Sequence, residues 1–185
     1  MFFQSKPVTL SVFLAFFVLS SAVQAQDASV TESLKAVSTN DQTCTETALD
    51  LAKSQADLAE DSTKKQTAVA TIAGIATTQC SFTATSGIAT SFAKEFPEDA
   101  VAIAVAMTKA NPSAVAEIVL SIVTTFPEKR QQKKFEDIIA ALKQEVPELA
   151  NQESFAALSI PGAPPSPSAP APAAGLLAFD VISPS

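Results

Sequence analysis

Two cysteines, Cys44 and Cys80, are the residues of this sequence best suited to a defined chemistry. They are the only thiols of a chain that opens with a predicted export signal, and cysteines of exported proteins usually pair. Their midpoint in sequence coincides with a turn signal at Asp61 and Ser62, so an antiparallel helical hairpin would bring them face to face. The chain-entropy model gives such a disulfide, which closes roughly 36 residues, about 3.8 kcal/mol. A redox-active pair is the alternative, but no CxxC spacing or nearby cation is evident.

The residue types needed for most catalysis are missing. There is no histidine, which removes the usual general base and the usual transition-metal ligand. The four glycines form no phosphate-binding loop. Carboxylate pairs at Glu98/Asp99 and Glu136/Asp137 can serve acid–base chemistry in other proteins, but we place them at helix starts, where they stay ionised and act as caps. We therefore predict a protein that is not an enzyme, with no catalytic residue, no metal and no cofactor.

A short basic run at residues 129–134 stands out in a chain whose net charge is −7. The overall acidity argues against nucleic acid or an anionic membrane as the main partner. The run is either a docking site for an acidic partner or a solvated helix start. Its shortness and lack of interleaved aromatic residues favour the solvated helix start.

A 15-residue repeat between Ile88 and Gln152 determines the elements that position these residues. Its blocks begin at residues 88, 103, 118 and 138, the last after a five-residue insertion at 133–137. Each block opens on isoleucine, carries a bulky apolar residue four places later and a proline nine places after the isoleucine: Ile88, Phe92 and Pro97; Ile103, Met107 and Pro112; Ile118, Ile122 and Pro127; Ile138, Leu142 and Pro147. The blocks resemble, in a general way, the short Ala- and Ile-rich helical arrays of exported bacterial proteins.

The prolines of the repeat should start helices. Proline is tolerated at the first helical position but not in a helix interior, so each one ends a helix and begins the next. Asn111 should cap the helix that follows it. We expect one helix before Phe96 and four after it, at about 97–110, 112–126, 128–145 and 147–158.

The fold predicted by these signals is all-α. A disulfide-stapled helical hairpin over 41–80, with its helices capped by Asp41 or Thr43 and by Asp61 or Ser62, precedes a short array of 15-residue proline-started helices. The array is either solenoid-like or a compact bundle, because short helices are stable only when neighbours bury their apolar stripes.

The chain divides into five regions. Residues 1–25 combine Lys6, an apolar stretch and small residues up to Ala25, the pattern of an export signal that is cleaved near Ala25. Residues 26–40 are a weak helix or an N-terminal arm, and 41–159 are the helical domain. No transmembrane segment is expected in the mature chain.

The last two regions form a predicted tail. Residues 160–175 hold half of the twelve prolines and should be a disordered, extended linker with a reach of about 50 Å at about 3.1 Å per residue. Residues 176–185 are an apolar peptide that either docks on a partner, serves as a sorting address, folds back on its own domain or stays disordered. Its candidate docking residues are Leu176, Leu177, Phe179, Val181 and Ile182.

The sequence therefore favours an exported, non-catalytic structural or interaction protein of the bacterial envelope, surface or matrix. A protein partner or self-assembly is expected, and the oligomeric state is left open. The alternative is a periplasmic carrier that holds a small apolar ligand between alanine-lined helices. An enzyme that uses carboxylates alone is the least favoured hypothesis.

Overall fold

The computed structural model describes residues 27–151, which form seven α-helices and no β-strand. The all-α prediction is therefore confirmed for this part of the chain, while the predicted export signal, linker and apolar peptide lie outside the described residues. The α-helices are α1 (27–37), α2 (Asp41–Leu58), α3 (Ser62–Gln79), α4 (Thr85–Glu95), α5 (Ala100–Ala110), α6 (Val115–Val123) and α7 (Glu128–Glu145). Short 3₁₀ turns occupy Phe82–Ala84, Pro97–Asp99, Pro112–Ala114 and Pro147–Asn151.

Helices α2 and α3 form the hairpin, and each begins at a side-chain cap. The Asp61 carboxylate accepts a hydrogen bond from the Lys64 N–H at 2.8 Å, so Asp61 is the cap of the two predicted candidates, Asp61 and Ser62. The cap of α2 was predicted wrongly: it is Asn40, whose side chain accepts from the Thr43 N–H at 2.9 Å. Asp41 is not the cap because it lies one residue inside the helix, where its carboxylate binds hydroxyl groups of another segment.

The predicted disulfide is present and joins the open end of this hairpin. Cys44 lies in the first turn of α2, and Cys80 is the C-cap of α3. Their Cα atoms are 5.9 Å apart across a sequence separation of 36 residues. Both residues are buried, so the bond ties the two helices together inside the core.

Helix α1 packs along the hairpin, with Leu34 near the disulfide end and Val30 nearer the turn between α2 and α3. Val30 and Leu34 lie one helical turn apart, and both are buried in the core cluster. The Leu34 carbonyl oxygen lies 3.9 Å from the Cys44 sulfur. Residues 27–37 are thus a packed helix rather than a free arm.

The prolines of the repeat stand at helix starts, as predicted. Pro97, Pro112 and Pro147 each open a 3₁₀ turn, and Pro127 directly precedes α7. Helix α7 has the predicted bounds, whereas α6 ends at Val123 rather than Phe126. The 3₁₀ geometry was not predicted.

Asn111 occupies the predicted N-cap position but does not cap in the usual way. Its side-chain oxygen accepts a hydrogen bond from the Ser113 hydroxyl at 2.7 Å, and no backbone N–H reaches it. The Ser113 hydroxyl therefore binds the Asn111 side-chain oxygen that a backbone N–H of the helix would bind in a usual cap.

The apolar stripe of the blocks is buried. The four block-opening isoleucines and the residues four places later are all fully buried: Ile88, Phe92, Ile103, Met107, Ile118, Ile122, Ile138 and Leu142. Together with alanines of α2 and α3 they form one continuous core. Burying such a stripe against neighbouring helices is what stabilises helices of this length.

The helices pack in two rows. Helix α4 packs against α2 and α6, while α5 packs against α3 and α7. Successive helices from α2 onward therefore alternate between the rows, and α5 lies between two neighbours of its own row.

Helices α3 and α5 approach closely at Gly74. A Cβ atom added there would lie 3.2 Å from the backbone oxygen of Ala106. The side chains of α3 around this point are small, among them Ala70, Ala73 and Ala76. A side chain at residue 74 would therefore require α3 and α5 to move apart by a few tenths of an ångström.

Candidate functional site

Helix α5 has no polar face. Its sequence, AVAIAVAMTKA, contains only two polar residues, Thr108 and Lys109, and Thr108 is buried. Ile103, Ala104 and Met107 face the core, while the apolar side chains on the opposite side are only partly covered. A helix that is apolar all round is normally buried on every side, so the outward face of α5 is a candidate binding surface.

This outward face is the floor of an open groove, which we call the α5 groove. Helices α3 and α7, of 18 residues each, flank the 11-residue α5. The groove has a volume of about 600 Å³ and is lined by Gln66, Thr67, Ala70, Val101, Ala102, Val105, Ala106, Lys109, Ala141 and Glu145. Alanine and valine make up most of the lining, so the groove fits an apolar segment that brings its own large side chains.

Polar side chains surround this apolar floor. The Lys109 ammonium and the Glu145 carboxylate pair at 2.9 Å and join α5 to α7. At the other end the Gln66 amide donates to the Asp99 carboxylate at 3.4 Å. An apolar floor inside a polar rim is the usual arrangement of a polypeptide-binding surface.

A second cleft, of about 400 Å³, lies between the end of α4 and the start of α7. Four of its lining residues are cations: Lys94, Arg130, Lys133 and Lys134. Lys134 lies 5.1 Å from the centre of the Phe126 ring, and none of the four forms an ion pair within residues 27–151. The cleft can attract an anionic group, although Glu98 and Asp137 also line it.

The basic run 129–134 supplies three of those cations from the first turns of α7. Most of its side chains are exposed to solvent, as expected of a solvated helix start. A docking role for an acidic partner stays a prediction.

A third and smaller cleft, of about 300 Å³, lies between α1, α2 and α3. Val30, Leu58 and Ile72 supply its apolar wall, and 72% of Leu58 is exposed. Lys64 and Asp27 stand at its edge.

The carboxylate pairs do not converge on any of these clefts as a pair. Glu98 and Asp99 lie in the 3₁₀ turn that precedes α5, at a helix start as predicted. Glu136 and Asp137 lie in the middle of α7, so their predicted place at a helix start was wrong. The predicted bounds of 128–145 already place both residues inside this helix. Within residues 27–151 no three Cys, Asp or Glu side chains are grouped as metal ligands would be.

Asp41 is the carboxylate with the most distinctive surroundings. It accepts hydrogen bonds from the Ser81 and Thr83 hydroxyl groups, which lie just after Cys80. These bonds, that of Ser81 first, lower the pKa of Asp41 below its usual 3.8. The cluster joins the start of α2 to the chain beyond α3, so its evident role is structural.

The predicted site residues fall into two groups. Cys44 and Cys80 meet in the disulfide. The candidate docking residues Leu176, Leu177, Phe179, Val181 and Ile182 lie outside the described residues. The α5 groove was missed, although one signal for it was present in the sequence, namely the lack of a polar face over Ala100–Ala110.

No known protein family, curated protein or solved structure matches this chain. Among the helices of residues 27–151, none has the length and hydrophobicity needed to cross a bilayer.

Proposed function

We propose that this chain is an exported, non-catalytic structural or interaction protein of the bacterial envelope, surface or matrix. Its helical array is a solenoid-like body, and residues 176–185 are a docking or sorting peptide. The observation that carries the interaction role is the apolar outward face of α5 in an open groove. Exposed apolar surface with a polar rim is typical of a site that a polypeptide covers.

Export is supported by the disulfide. Disulfides form and persist mainly in oxidising compartments outside the cytosol, and Cys44 and Cys80 are bonded. The export pattern of residues 1–25 points the same way.

A solenoid-like body is supported by the two rows of helices. In such arrays each unit contacts only its neighbours, and the exposed row offers an extended binding surface. Helices α3, α5 and α7 make up the row that carries the groove.

Deletion of residues 176–185 tests the docking or sorting role. We expect the deletion to abolish the native location or the capture of a partner, measured by cell fractionation and affinity purification from the host. Helical content by circular dichroism should be unchanged, because the helices of residues 27–151 bury their apolar side chains in a common core. Deletion of only Ser183–Ser185, which are polar or proline, is the matched control. Unchanged location and partners after the larger deletion would refute the proposal.

The second candidate function is a carrier of a small apolar ligand. The observation in its favour is the alanine lining of the α5 groove: Ala70, Ala102, Ala106 and Ala141. The ligand would lie in this groove rather than between the helices, because α3 and α5 touch at Gly74. Native mass spectrometry of protein purified from its host should then show an added lipid-sized mass. A clean apo mass, with no binding of an apolar dye, would rule the carrier out.

A further inference from the structure

We infer that the α5 groove binds the apolar peptide 176–182 of the same chain. The inference rests on the proposed role of the groove as a polypeptide-binding surface, and it names the occupant. It assigns one binding site to two features of the chain: the open face of α5 and the apolar end of the tail.

The groove supplies a floor of small side chains. Val101, Ala102, Val105 and Ala106 form its centre, and Ala70 and Ala141 extend it onto the flanking helices. Small side chains leave depth between α3 and α7, so large apolar side chains must come from the occupant. Covering this floor removes apolar surface from water, which is the main source of affinity for such a segment.

The peptide supplies those large side chains. Its sequence, LLAFDVI, places Leu177, Phe179 and Val181 at alternate positions, which share one face of an extended segment. Asp180 is its one charged side chain. In an extended segment Asp180 lies on the face opposite to these three residues, so its charge is not buried against the apolar floor.

The connecting chain is long enough for this contact. Glu145, at the edge of the groove, lies six residues before residue 151, and 24 further residues separate residue 151 from Leu176. The proline-rich part alone reaches about 50 Å at about 3.1 Å per residue, and α7 in its full length is only about 27 Å. The tether therefore reaches every part of the groove.

The tether also determines whether the peptide in the groove comes from the same chain or from a second copy. A linker whose length matches the distance it spans gives its peptide a local concentration on the order of 1 mM. Even a weak contact, with a dissociation constant of about 1 mM, would then fill the groove about half of the time. At about 1 µM protein, the peptide of a second copy is about a thousandfold more dilute, so the peptide of the same chain occupies the groove.

A photo-cross-linking experiment tests the inference. The full chain, at about 1 µM, carries the photoreactive amino acid benzoylphenylalanine in place of Phe179. After illumination, peptide mapping by mass spectrometry should place the cross-link on residues 101–106 or on the groove faces of α3 and α7. The product should migrate as a monomer on a denaturing gel.

Matched variants control for an unspecific cross-link. Val105→Glu puts a carboxylate in the apolar floor, and we expect the cross-link yield to fall about tenfold, because a carboxylate resists burial against apolar side chains. Ala140→Glu puts the same group on an exposed position of α7 and should leave the yield unchanged. Circular dichroism must show that both variants keep the helical content. If Val105→Glu does not fold, Leu177→Ser in the tail should lower the yield in its place.

The remaining outcomes overturn the inference. A cross-link to the basic cleft at residues 125–137, no cross-link at all, or a product that migrates as a dimer would each refute binding within one chain.

The proposed function is refuted by different results. If the groove cross-link forms but deletion of 176–185 changes neither location nor partners, the inference stands without the docking role. If the deletion abolishes partner capture but no groove cross-link forms, the docking role stands without the inference.

Discussion

At the scale of single residues, Asp41 predicts a measurable effect of pH. Hydrogen bonds from Ser81 and Thr83 to its carboxylate lower the pKa of Asp41 below 3.8. A pKa that is lower in the folded state adds stability above the unfolded value, and this stability is lost as the pH falls through the folded value. Carbon-detected NMR titration should find the folded pKa of Asp41 below 3.8.

Removal of the two hydroxyl groups tests the cause of that shift. In the double variant Ser81→Ala/Thr83→Ala the pKa of Asp41 should return towards 3.8, because the charged form loses both donors. Ser54→Ala, at an exposed position of the same helix, is the control and should leave it unchanged. An Asp41 pKa at or above 3.8 in the wild type would contradict the geometry of this cluster.

The same cluster explains why the cap of α2 was predicted wrongly. Asn40, Asp41 and Thr43 are all suitable N-cap types by sequence. The choice falls on Asn40 because Asp41 bonds to residues about forty positions further along the chain. Contacts between segments so distant in sequence are not visible in local patterns, whereas Asp61, which forms its cap locally, was one of the two caps predicted for α3.

At the scale of helices, the two glycines of the core helices predict opposite responses to the same substitution. Gly74→Leu should lower the free energy of unfolding by about 1–3 kcal/mol, because the new Cβ meets the Ala106 backbone oxygen. Gly87→Leu should be neutral or raise it by up to about 1 kcal/mol, because a Cβ there meets only the Thr45 hydroxyl, at 3.9 Å, and leucine is the better helix former. Urea unfolding curves measure both. A Gly74→Leu variant as stable as the wild type would show that α3 and α5 are further apart than described.

The disulfide predicts the stability of the α2–α3 hairpin. Cys44→Ala/Cys80→Ala should lower the unfolding free energy by about 2–4 kcal/mol, because the unfolded chain regains the freedom of a 36-residue loop. Urea unfolding of the variant and of the oxidised wild type measures this loss as a lower midpoint concentration in the variant. An unchanged midpoint would contradict the predicted loss of stability. A free-thiol count of the denatured exported protein should be zero, and a count of two would contradict the bond itself.

Helix boundaries were largely predictable because proline acts locally. A proline fixes its own φ and lacks an N–H, so its effect does not depend on the rest of the fold. The starts at Pro97 and Pro112 and the bounds of α7 follow from this. The early end of α6 does not, since the Thr124 and Thr125 hydroxyls bond to carbonyl oxygens of Leu120 and Ile122 and help form a turn there. Sequence patterns do not distinguish such a turn from continued helix.

At the scale of the whole molecule, the packing of helices on near neighbours predicts uneven stability. Helix α7 packs against α5, α6 and the turn after it, whereas the disulfide holds α2 and α3. Leu142→Ala should cost about 2–5 kcal/mol, and its effect should be concentrated in α6 and α7. Hydrogen exchange followed by mass spectrometry should show faster exchange there and nearly unchanged exchange in α2 and α3. Uniformly faster exchange in all helices would instead indicate a single cooperative bundle.

The α5 groove belongs to this largest scale, which is why the sequence alone did not predict it. The all-apolar character of α5 was present in the sequence, but it is equally typical of a central buried helix. The groove exists because small side chains of α5 lie between α3 and α7, which pack on either side of it. Which helices flank α5 depends on how the helices assemble.

The alternation of helices between two rows also limits how the length of this chain can change. The block-opening isoleucines at 88, 103 and 118 advance by 15 residues, and each step moves the chain to the opposite row. Loss or duplication of one block would move every later helix to the opposite row. The outer face of α7 would then meet different helices. Loss or duplication of two blocks, or thirty residues, leaves every later helix in its present row. Viable length variants should therefore differ from this chain by even numbers of blocks.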